Sequence, residues 1–181
     1  MPEKLLVEPR KHVPFWVRLG ANVAESKTKK KMQLPLVLAW YKRAAFSSGI
    51  LESLASQGEG KANGRLLQLI RIQISTQNGC HFCMDMNMNN HEKNNITKQE
   101  LDGMQNDSVS SIETFSQTEI VALTYARDLT ETPPNIDDSI LKELQSSFNE
   151  RELIIISTTI AQVNYWTRLI RGLGIPVATP K

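Results

Sequence analysis

Asn78-Gly79-Cys80-His81-Phe82-Cys83 contains the only two cysteines of this 181-residue chain, about one turn apart if the segment is helical. A thiol reacts as its thiolate, and the unpaired N–H groups and dipole at the start of a helix lower the pKa of a thiol placed there. Asn78 is a suitable N-cap residue, and Gly79 permits a sharp turn into the helix. The stretch therefore predicts two sulfurs at a helix N-terminus, one to be oxidised and one to close a disulfide behind it.

The composition indicates a globular protein without a nucleic-acid partner. Hydrophobic residues make up 40% of the chain, and 21 basic side chains are balanced by 19 acidic ones. That balance lacks the basic excess of nucleic-acid-binding domains. The one basic cluster, residues 27–31, is interpreted as a solvated loop or helix end.

The sequence also predicts a cytoplasmic location and no membrane partner. Met1-Pro2-Glu3-Lys4 lacks the apolar run of a secretory signal, and no apolar run approaches the ~18 residues of a spanning helix. In the reducing cytoplasm, two close cysteines are more often redox-active or metal-binding than a structural disulfide.

Upstream of the cysteines, residues 65–77 carry two conflicting patterns. Ile70, Ile72 and Ile74 alternate with polar residues, as in a strand. Leu66, Ile70 and Ile74 also share one helical face, and the length of the segment favours a helix. We therefore expect a helix to lead into the cysteine motif.

Start and stop signals along the rest of the chain predict an all-α protein of seven or eight helices. One helix is expected from Leu34 through Ala45, and a second from Ser48 to about Ser56. Capping residues predict later starts at Thr97, Ser116, Asp137 or Asp138, and, in a looser form, Asn149. Stops are predicted at residues 132–135 and at Gly172 and Gly174.

The chain is expected to form a single helical domain with an N-terminal arm. Residues 1–33 form the arm, which packs on the body or on a neighbouring subunit, and residues 34–181 form the helical domain. An apolar patch at residues 13–17 would serve as the local anchor of the arm.

Two segments together resemble one known family. Residues 64–70 lead through Ser-Thr-Gln-Asn-Gly at 75–79 to the Cys-x-x-Cys motif, as in the carboxymuconolactone decarboxylase and alkylhydroperoxidase D family. Near the C-terminus, Asn164, Trp166 and Arg168 repeat an Asn-x-Trp-x-Arg spacing of that family. The resemblance covers about residues 34–177. It implies an all-helical fold, a homo-oligomer (trimer or hexamer) and thiol-dependent reduction of hydroperoxides.

The resemblance also implies a proton relay at two positions where this chain carries amides. Peroxidases of the family have a Glu and a His at the positions of Gln68 and Asn87. Amides form hydrogen bonds but do not titrate, so they would orient a thiol or a water without acting as acid or base. His81 lies between the cysteines, where a protonated imidazole would favour a thiolate. Gln68, Asn87 and His81 are therefore the expected supporting residues of a weakened antioxidant peroxidase.

By the same resemblance, Cys83 is the attacking thiolate and Cys80 the resolving thiol. A hydroperoxide would be the substrate, and an external dithiol or a thioredoxin-like protein would reduce the disulfide again. No cofactor and no metal is expected. Physical reasoning alone leaves the order of the two thiols open, because an Asn78 cap would place Cys80 nearer to the helical N–H groups.

The same residues allow other interpretations. A member that has lost turnover would be an oligomeric redox-sensing or binding protein. Lactone decarboxylation is a less favoured activity, because that reaction does not need a dithiol. A structural zinc site is also less favoured, because the motif supplies two of the four ligands and the three histidines do not follow finger-like spacing. Two inert buried cysteines would not need Cys-x-x-Cys spacing. Carboxylates that could fold back toward the sulfurs are Glu52, Glu59 and Asp85.

Overall fold

The computed structural model describes residues 4–54, 57–106 and 109–180, and this part of the chain is helical almost throughout. Its nine α-helices are α1 (Phe15–Thr28), α2 (Leu34–Leu38), α3 (Lys42–Leu54), α4 (Gly64–Gln77), α5 (His81–Met88), α6 (Lys98–Asn106), α7 (Gln117–Thr130), α8 (Asp138–Ser147) and α9 (Glu150–Leu173). Short 3-10 helices cover His91–Asn94 and Val109–Ser111. The predicted all-α, single-domain class is confirmed, with more helices than the seven or eight expected.

The segment with conflicting patterns is the central helix, α4. Asn63 caps it by accepting a hydrogen bond from the Leu66 backbone N–H, and α5, α7 and α9 pack around it. Because α4 is enclosed by neighbours, Ile70, Ile72 and Ile74 are all fully buried. Their alternation with polar residues therefore reflects a helix buried on several faces, not a strand.

The predicted caps begin the later helices. Ser116 and Glu119 form a complete capping box at α7, and Asn149 forms a second box at α9 with the glutamate of its first turn. The α9 cap is therefore stronger than the looser form expected. At the other end of α9, Gly174 has φ of 62°, and a side chain there would collide with the backbone of Lys4.

The first predicted helix is wrong in its extent. Helix α2 ends at Leu38, and hydrogen bonds from each backbone N–H to the carbonyl three residues earlier tighten the chain at Trp40 and Tyr41. The Trp40 indole N–H donates to the Glu8 carbonyl at 2.8 Å, which holds this turn against the N-terminal segment. Helix α3 then starts at Lys42, before the predicted start at Ser48, and the predicted end at Ser56 lies outside the described residues.

A short ladder joins the N-terminal and C-terminal parts of the chain. Strands β1 (Lys30–Lys31) and β2 (Thr179–Pro180) pair antiparallel, with Lys30 opposite Pro180. Residues 27–31 include the end of α1, as one of the two interpretations held, but the Lys30 side chain is only 17% exposed and pairs with Asp85. Among the described helices, none is long and apolar enough to cross a bilayer.

An ion-pair network ties α4 to α6 and α7. Arg65 lies 2.7 Å from a carboxylate oxygen of Glu100 and 2.7 Å from one of Glu119. Glu100 also accepts hydrogen bonds from the Thr97 backbone N–H and the Thr114 hydroxyl. Burial favours the protonated form of Glu100, but Arg65 and these two donors outweigh it and lower the pKa of Glu100 to about 2.

Candidate redox site at the start of helix α5

Cys80 and Cys83 form a disulfide across the first turn of α5, with their Cα atoms 5.2 Å apart. Cys80 is itself the N-cap residue, and its sulfur accepts a hydrogen bond from the Cys83 backbone N–H at 3.3 Å. The prediction that Asn78 caps this helix is wrong, because Asn78 ends α4 and donates its backbone N–H to the Ile74 carbonyl. Gly79, with φ of 59°, reverses the chain between the two helices, as its predicted role required.

Helix α9 holds the turn that positions the cysteines. The Asn78 side-chain amide donates to Asn164 Oδ1 at 3.1 Å and to Thr167 Oγ1 at 2.9 Å. Arg171 donates to the Asn78 carbonyl at 2.5 Å. Arg168 also hydrogen-bonds Asn164 Oδ1. Asn164 of the Asn-x-Trp-x-Arg spacing, together with Thr167 and Arg171, therefore anchors the turn before Cys80 to the C-terminal helix.

Both cysteines are buried in an apolar cluster separate from the main core. Cys80 is fully buried and Cys83 is 5% exposed. The cluster draws on the N-terminal segment, α2, α5, the end of α9 and the C-terminal segment, through Leu5, Val7, Met32, Val37, Phe82, Met86, Trp166, Ile170, Ile175 and Ala178. In this conformation the disulfide therefore lies beneath the described N-terminal segment, through Leu5 and Val7, and the C-terminal segment, through Ile175 and Ala178.

Gln68 and Asn87, the amides at the expected relay positions, lie together, and their hydrogen bonds hold the end of α5. Gln68 donates to the backbone carbonyls of Asn87 and Asn89 at 2.9 and 3.4 Å, and its oxygen accepts from Asn94 at 2.6 Å. The Asn87 side chain donates to Ser75 Oγ at 2.9 Å. In the described part of the chain, none of these hydrogen bonds reaches a sulfur.

The predicted supporting histidine lies between two buried cysteines but is itself exposed. His81 is the first residue of α5, and its side chain is exposed. His91 Nδ1 lies 2.5 Å from the Ile96 carbonyl, within its own loop. Within residues 4–54, 57–106 and 109–180, no group of three or more His, Cys, Asp or Glu side chains could hold a metal ion.

The three carboxylates that could fold back occupy different places. Asp85 lies near the motif, where its charge is paired with Lys30 at 2.6 Å. Glu59 pairs with Arg151 at 2.8 Å, at an exposed position. Glu52 accepts hydrogen bonds from Trp166, a member of the cysteine cluster, at 3.0 Å. Since Asp85 is paired with a cation, its charge would disfavour a thiolate in the reduced motif less than an unpaired carboxylate would.

A cleft of about 260 Å³ opens beside α4 and α5. Its lining includes both relay-position amides, Gln68 and Asn87, together with Arg71 and Met86. Sequence reasoning missed Arg71, although a charged residue flanked by fully buried isoleucines on an apolar helix is costly to bury without a role or a partner. Burial lowers the pKa of the Arg71 guanidinium, and Glu52 partly offsets that shift.

No family model matches the chain. The uncharacterized protein YdfG of Bacillus subtilis (strain 168) is 25% identical over 117 residues, which cover 64% of this chain and 78% of that protein.

Solved structures of similar shape cover nearly the whole chain at low sequence identity. The debrominase Bmp8, as a cysteine-to-alanine variant in complex with 2,3,4-tribromopyrrole, superposes with a TM-score of 0.82, covering 98% of this chain and 94% of its own at 15% identity. A peroxidase-related protein from Silicibacter sp. TM1040 gives 0.80, with 96% and 91% coverage at 15% identity.

A third structure is described as an alkylhydroperoxidase AhpD core, an uncharacterized peroxidase-related protein from Ralstonia eutropha JMP134. It gives a TM-score of 0.76, with 91% and 86% coverage at 14% identity. At such identities the similarity demonstrates the fold. The chain therefore has the alkylhydroperoxidase D-like fold, and the resemblance seen in the sequence is confirmed at that level.

Proposed function

We propose that this chain is a thiol-dependent hydroperoxide reductase with Cys80 and Cys83 as its redox pair. One observation carries the proposal: the disulfide spans the first turn of α5, with the Cys80 sulfur in the capping position. The Cys80 sulfur accepts a hydrogen bond from the Cys83 backbone N–H there, and such a donor would also stabilise a thiolate. The alkylhydroperoxidase D-like fold and the peroxidase-related neighbours support the same chemistry.

In the oxidative half of the cycle, the Cys83 thiolate attacks the terminal oxygen of the hydroperoxide. The O–O bond breaks, its electron pair leaves with the alkoxide, and the alkoxide takes a proton to become the alcohol. Cys83 is then a sulfenic acid. The Cys80 thiolate attacks the Cys83 sulfur, the S–O bond breaks, and the departing hydroxide takes a proton to become water. The hydroperoxide and both thiols are consumed, and the alcohol, water and the disulfide are formed.

The proton for the alkoxide comes from water in this scheme. Gln68 and Asn87 do not titrate, and their side-chain donors are engaged with α4, α5 and the following turn. General acid–base catalysis typically contributes about 100-fold or more to a rate. We therefore expect turnover well below that of a relative with a titrating relay.

In the reductive half, an external dithiol or a thioredoxin-like protein restores both thiols. Its thiolate attacks Cys83, the slightly exposed member of the pair, and Cys80 departs as a thiolate. The Cys83 backbone N–H stabilises that leaving thiolate, because it already donates to the Cys80 sulfur. The second thiol of the reductant then breaks the mixed disulfide, so the reductant is oxidised as Cys80 and Cys83 are reduced.

A redox-sensing or binding protein is the second candidate. Burial of both sulfurs and the absence of titrating side chains at positions 68 and 87 favour it. Such a protein would be oxidised once and slowly, and its partners would respond to the oxidised form.

The deciding experiment measures peroxide consumption by the reduced protein with a renewable dithiol. We expect many turnovers per chain with hydrogen peroxide and an organic hydroperoxide. Cys83→Ser should abolish turnover, and Cys80→Ser should leave a sulfenic acid that a dimedone-type probe traps. Ser is a close match for the removed thiol in size, so both variants should retain the fold.

Three outcomes would redirect the proposal. Full activity in both serine variants would exclude the dithiol mechanism. Thiol oxidation no faster than that of an ordinary exposed cysteine would favour the sensing protein. Bromide release from 2,3,4-tribromopyrrole without peroxide consumption would point to the chemistry named for the structural neighbour Bmp8.

A further inference from the structure

Arg71 is a mostly buried cation that forms part of the wall of the α4–α5 cleft. Its neighbours Ile70 and Ile72 are fully buried, and its own side chain is 17% exposed. One guanidinium nitrogen donates to Gln162 Oε1 at 3.1 Å. A guanidinium is always charged and carries several N–H donors in a planar fork, so one amide oxygen uses only part of its capacity.

Glu52 balances this charge incompletely. Its nearer oxygen lies 3.9 Å from an Arg71 nitrogen, too far for a good hydrogen bond. Its other oxygen accepts from Gln162 Nε2 at 2.8 Å and from Trp166 Nε1 at 3.0 Å. The Glu52 side chain is also 54% exposed, so water screens its attraction to Arg71. The guanidinium can therefore bind a second anion from the cleft.

The lining of the cleft suits an organic anion. Leu67 and Met86 supply apolar surface, and Gln68, Asn87 and Asn94 supply neutral polar groups. In the described part of the chain, no carboxylate contributes to this lining to repel an anion. A volume of about 260 Å³ lies just below the roughly 300–1,000 Å³ of typical small-molecule sites, so the cleft has room only for a short organic ligand.

The cleft adjoins the sulfurs through one side chain. Met86 lines the cleft and also packs in the apolar cluster that contains Cys80 and Cys83. Asn87 commits its amide nitrogen to Ser75, which leaves Oδ1 as an acceptor for a peroxide O–H. A ligand held by its anionic end at Arg71 would therefore have its other end available at Met86, on the side of the cleft that borders the cysteine cluster.

We infer that the cleft selects organic hydroperoxides that carry a carboxylate, with Arg71 binding the carboxylate. This inference rests on the proposed reductase activity and specifies its substrate class. Arg71 determines specificity here and takes no part in the bond changes at sulfur. A hydrogen bond to a charged group contributes roughly 1.5–3 kcal/mol, which corresponds to at least about a tenfold preference for the acid over its neutral ester.

The test compares a hydroperoxy carboxylic acid with its methyl ester in steady-state turnover. The readout is the ratio of kcat/KM for acid and ester, which cancels any general change in thiol reactivity. We expect a ratio of about ten or more in the natural chain, a ratio near one in Arg71→Met and an intermediate ratio in Arg71→Lys. Arg151→Met is the matched control, because Arg151 is an exposed arginine at the start of α9, and it should keep the natural ratio.

A binding measurement separates this inference from the proposed function. The oxidised, disulfide form is titrated calorimetrically with the hydroxy acid that corresponds to the substrate, which cannot react. Binding that weakens with added salt and is lost in Arg71→Met supports the anion site even if no peroxide is consumed. Equal kcat/KM for acid and ester, with active turnover, overturns the inference and leaves the reductase activity intact. If Arg71→Met fails to fold, the natural ratio and Arg71→Lys still decide the question.

Discussion

The Cys80 sulfur and the Cys83 backbone N–H are joined by a hydrogen bond within the turn that their disulfide closes. Cys80 therefore caps α5, and Cys83 is the third residue of the helix. This arrangement gives the two thiols different surroundings although they share one turn. The N-cap sulfur is better suited to leave as a thiolate, and the more exposed sulfur is better suited to be attacked.

The strength with which α9 holds Asn78 and the turn before Cys80 can be measured with a double-mutant cycle. Asn78→Ala and Asn164→Ala each remove one partner of the 3.1 Å amide hydrogen bond and leave buried polar groups unpaired. Each should lower the free energy of unfolding in urea by about 1–3 kcal/mol, and both should slow disulfide formation. The double variant should lose less than the sum. Additive losses would mean that the two amides do not act together.

Gln68→Glu tests the finding that this side chain holds the end of α5. A carboxylate cannot donate to the Asn87 and Asn89 carbonyls, so the variant should lose about 1–2 kcal/mol of stability. Gln68→Glu combined with Asn87→His restores both titrating groups and should raise the rate of thiol oxidation at this cost in stability. An unchanged oxidation rate in the double variant would show that neither position acts on the sulfurs.

Stability should fall in acid through the Arg65–Glu100 network. The pKa of Glu100 is about 2 in the folded protein against 4.5 as its ordinary value, so between these values the unfolded chain binds the proton more readily. The contribution is therefore fully present above pH 4.5 and is lost as the pH falls toward 2. It amounts to about 3 kcal/mol. Glu100→Gln should flatten the dependence of Tm on pH in this window, and an unchanged slope would contradict the assignment.

The expected homo-oligomer has a candidate contact surface on α1 and α3. Phe15, Leu19 and Val23 are about half-exposed or more on one face of α1, and Trp16 contacts Phe46 of α3 edge to face. Exposed apolar groups of this extent commonly mark interfaces. Phe15→Glu with Leu19→Glu should reduce the mass measured by light scattering, whereas Lys142→Glu should not. A natural chain that is monomeric at micromolar concentration would refute this prediction.

The N-terminal segment should control access to the disulfide. Leu5 and Val7 pack in the cysteine cluster, and the Leu6 N–H donates to the Leu173 carbonyl at 3.0 Å. Leu5→Asp with Val7→Asp would place charges in that cluster and loosen the packing of the N-terminal segment over the disulfide. In this variant, the rate of disulfide reduction by a thioredoxin-like protein should rise more than the rate of reduction by dithiothreitol. The larger reductant depends more strongly on displacement of the N-terminal segment. Equal acceleration would mean that the segment does not limit access.

Much of the fold was readable from local sequence, because helix caps and stops are set by neighbouring residues. Ser116, Asn149 and Gly174 act at helix ends where their side chains or backbone freedom predicted them. The break between α2 and α3 was not readable, because the turn at Trp40 is held by a hydrogen bond to Glu8, distant in the sequence. A helical pattern alone does not reveal such a long-range contact.

At the candidate site, the two cysteines and the glycine turn before them could be located from local sequence. Cys-x-x-Cys spacing places two sulfurs within one helical turn, and only a residue that tolerates positive φ joins α4 to α5 there. The packed structure was needed to show which residue caps α5, which atoms Gln68 and Asn87 bind, and that Arg71 lines the cleft. Those features depend on how separate helices pack, and packing brings together side chains that no local pattern relates.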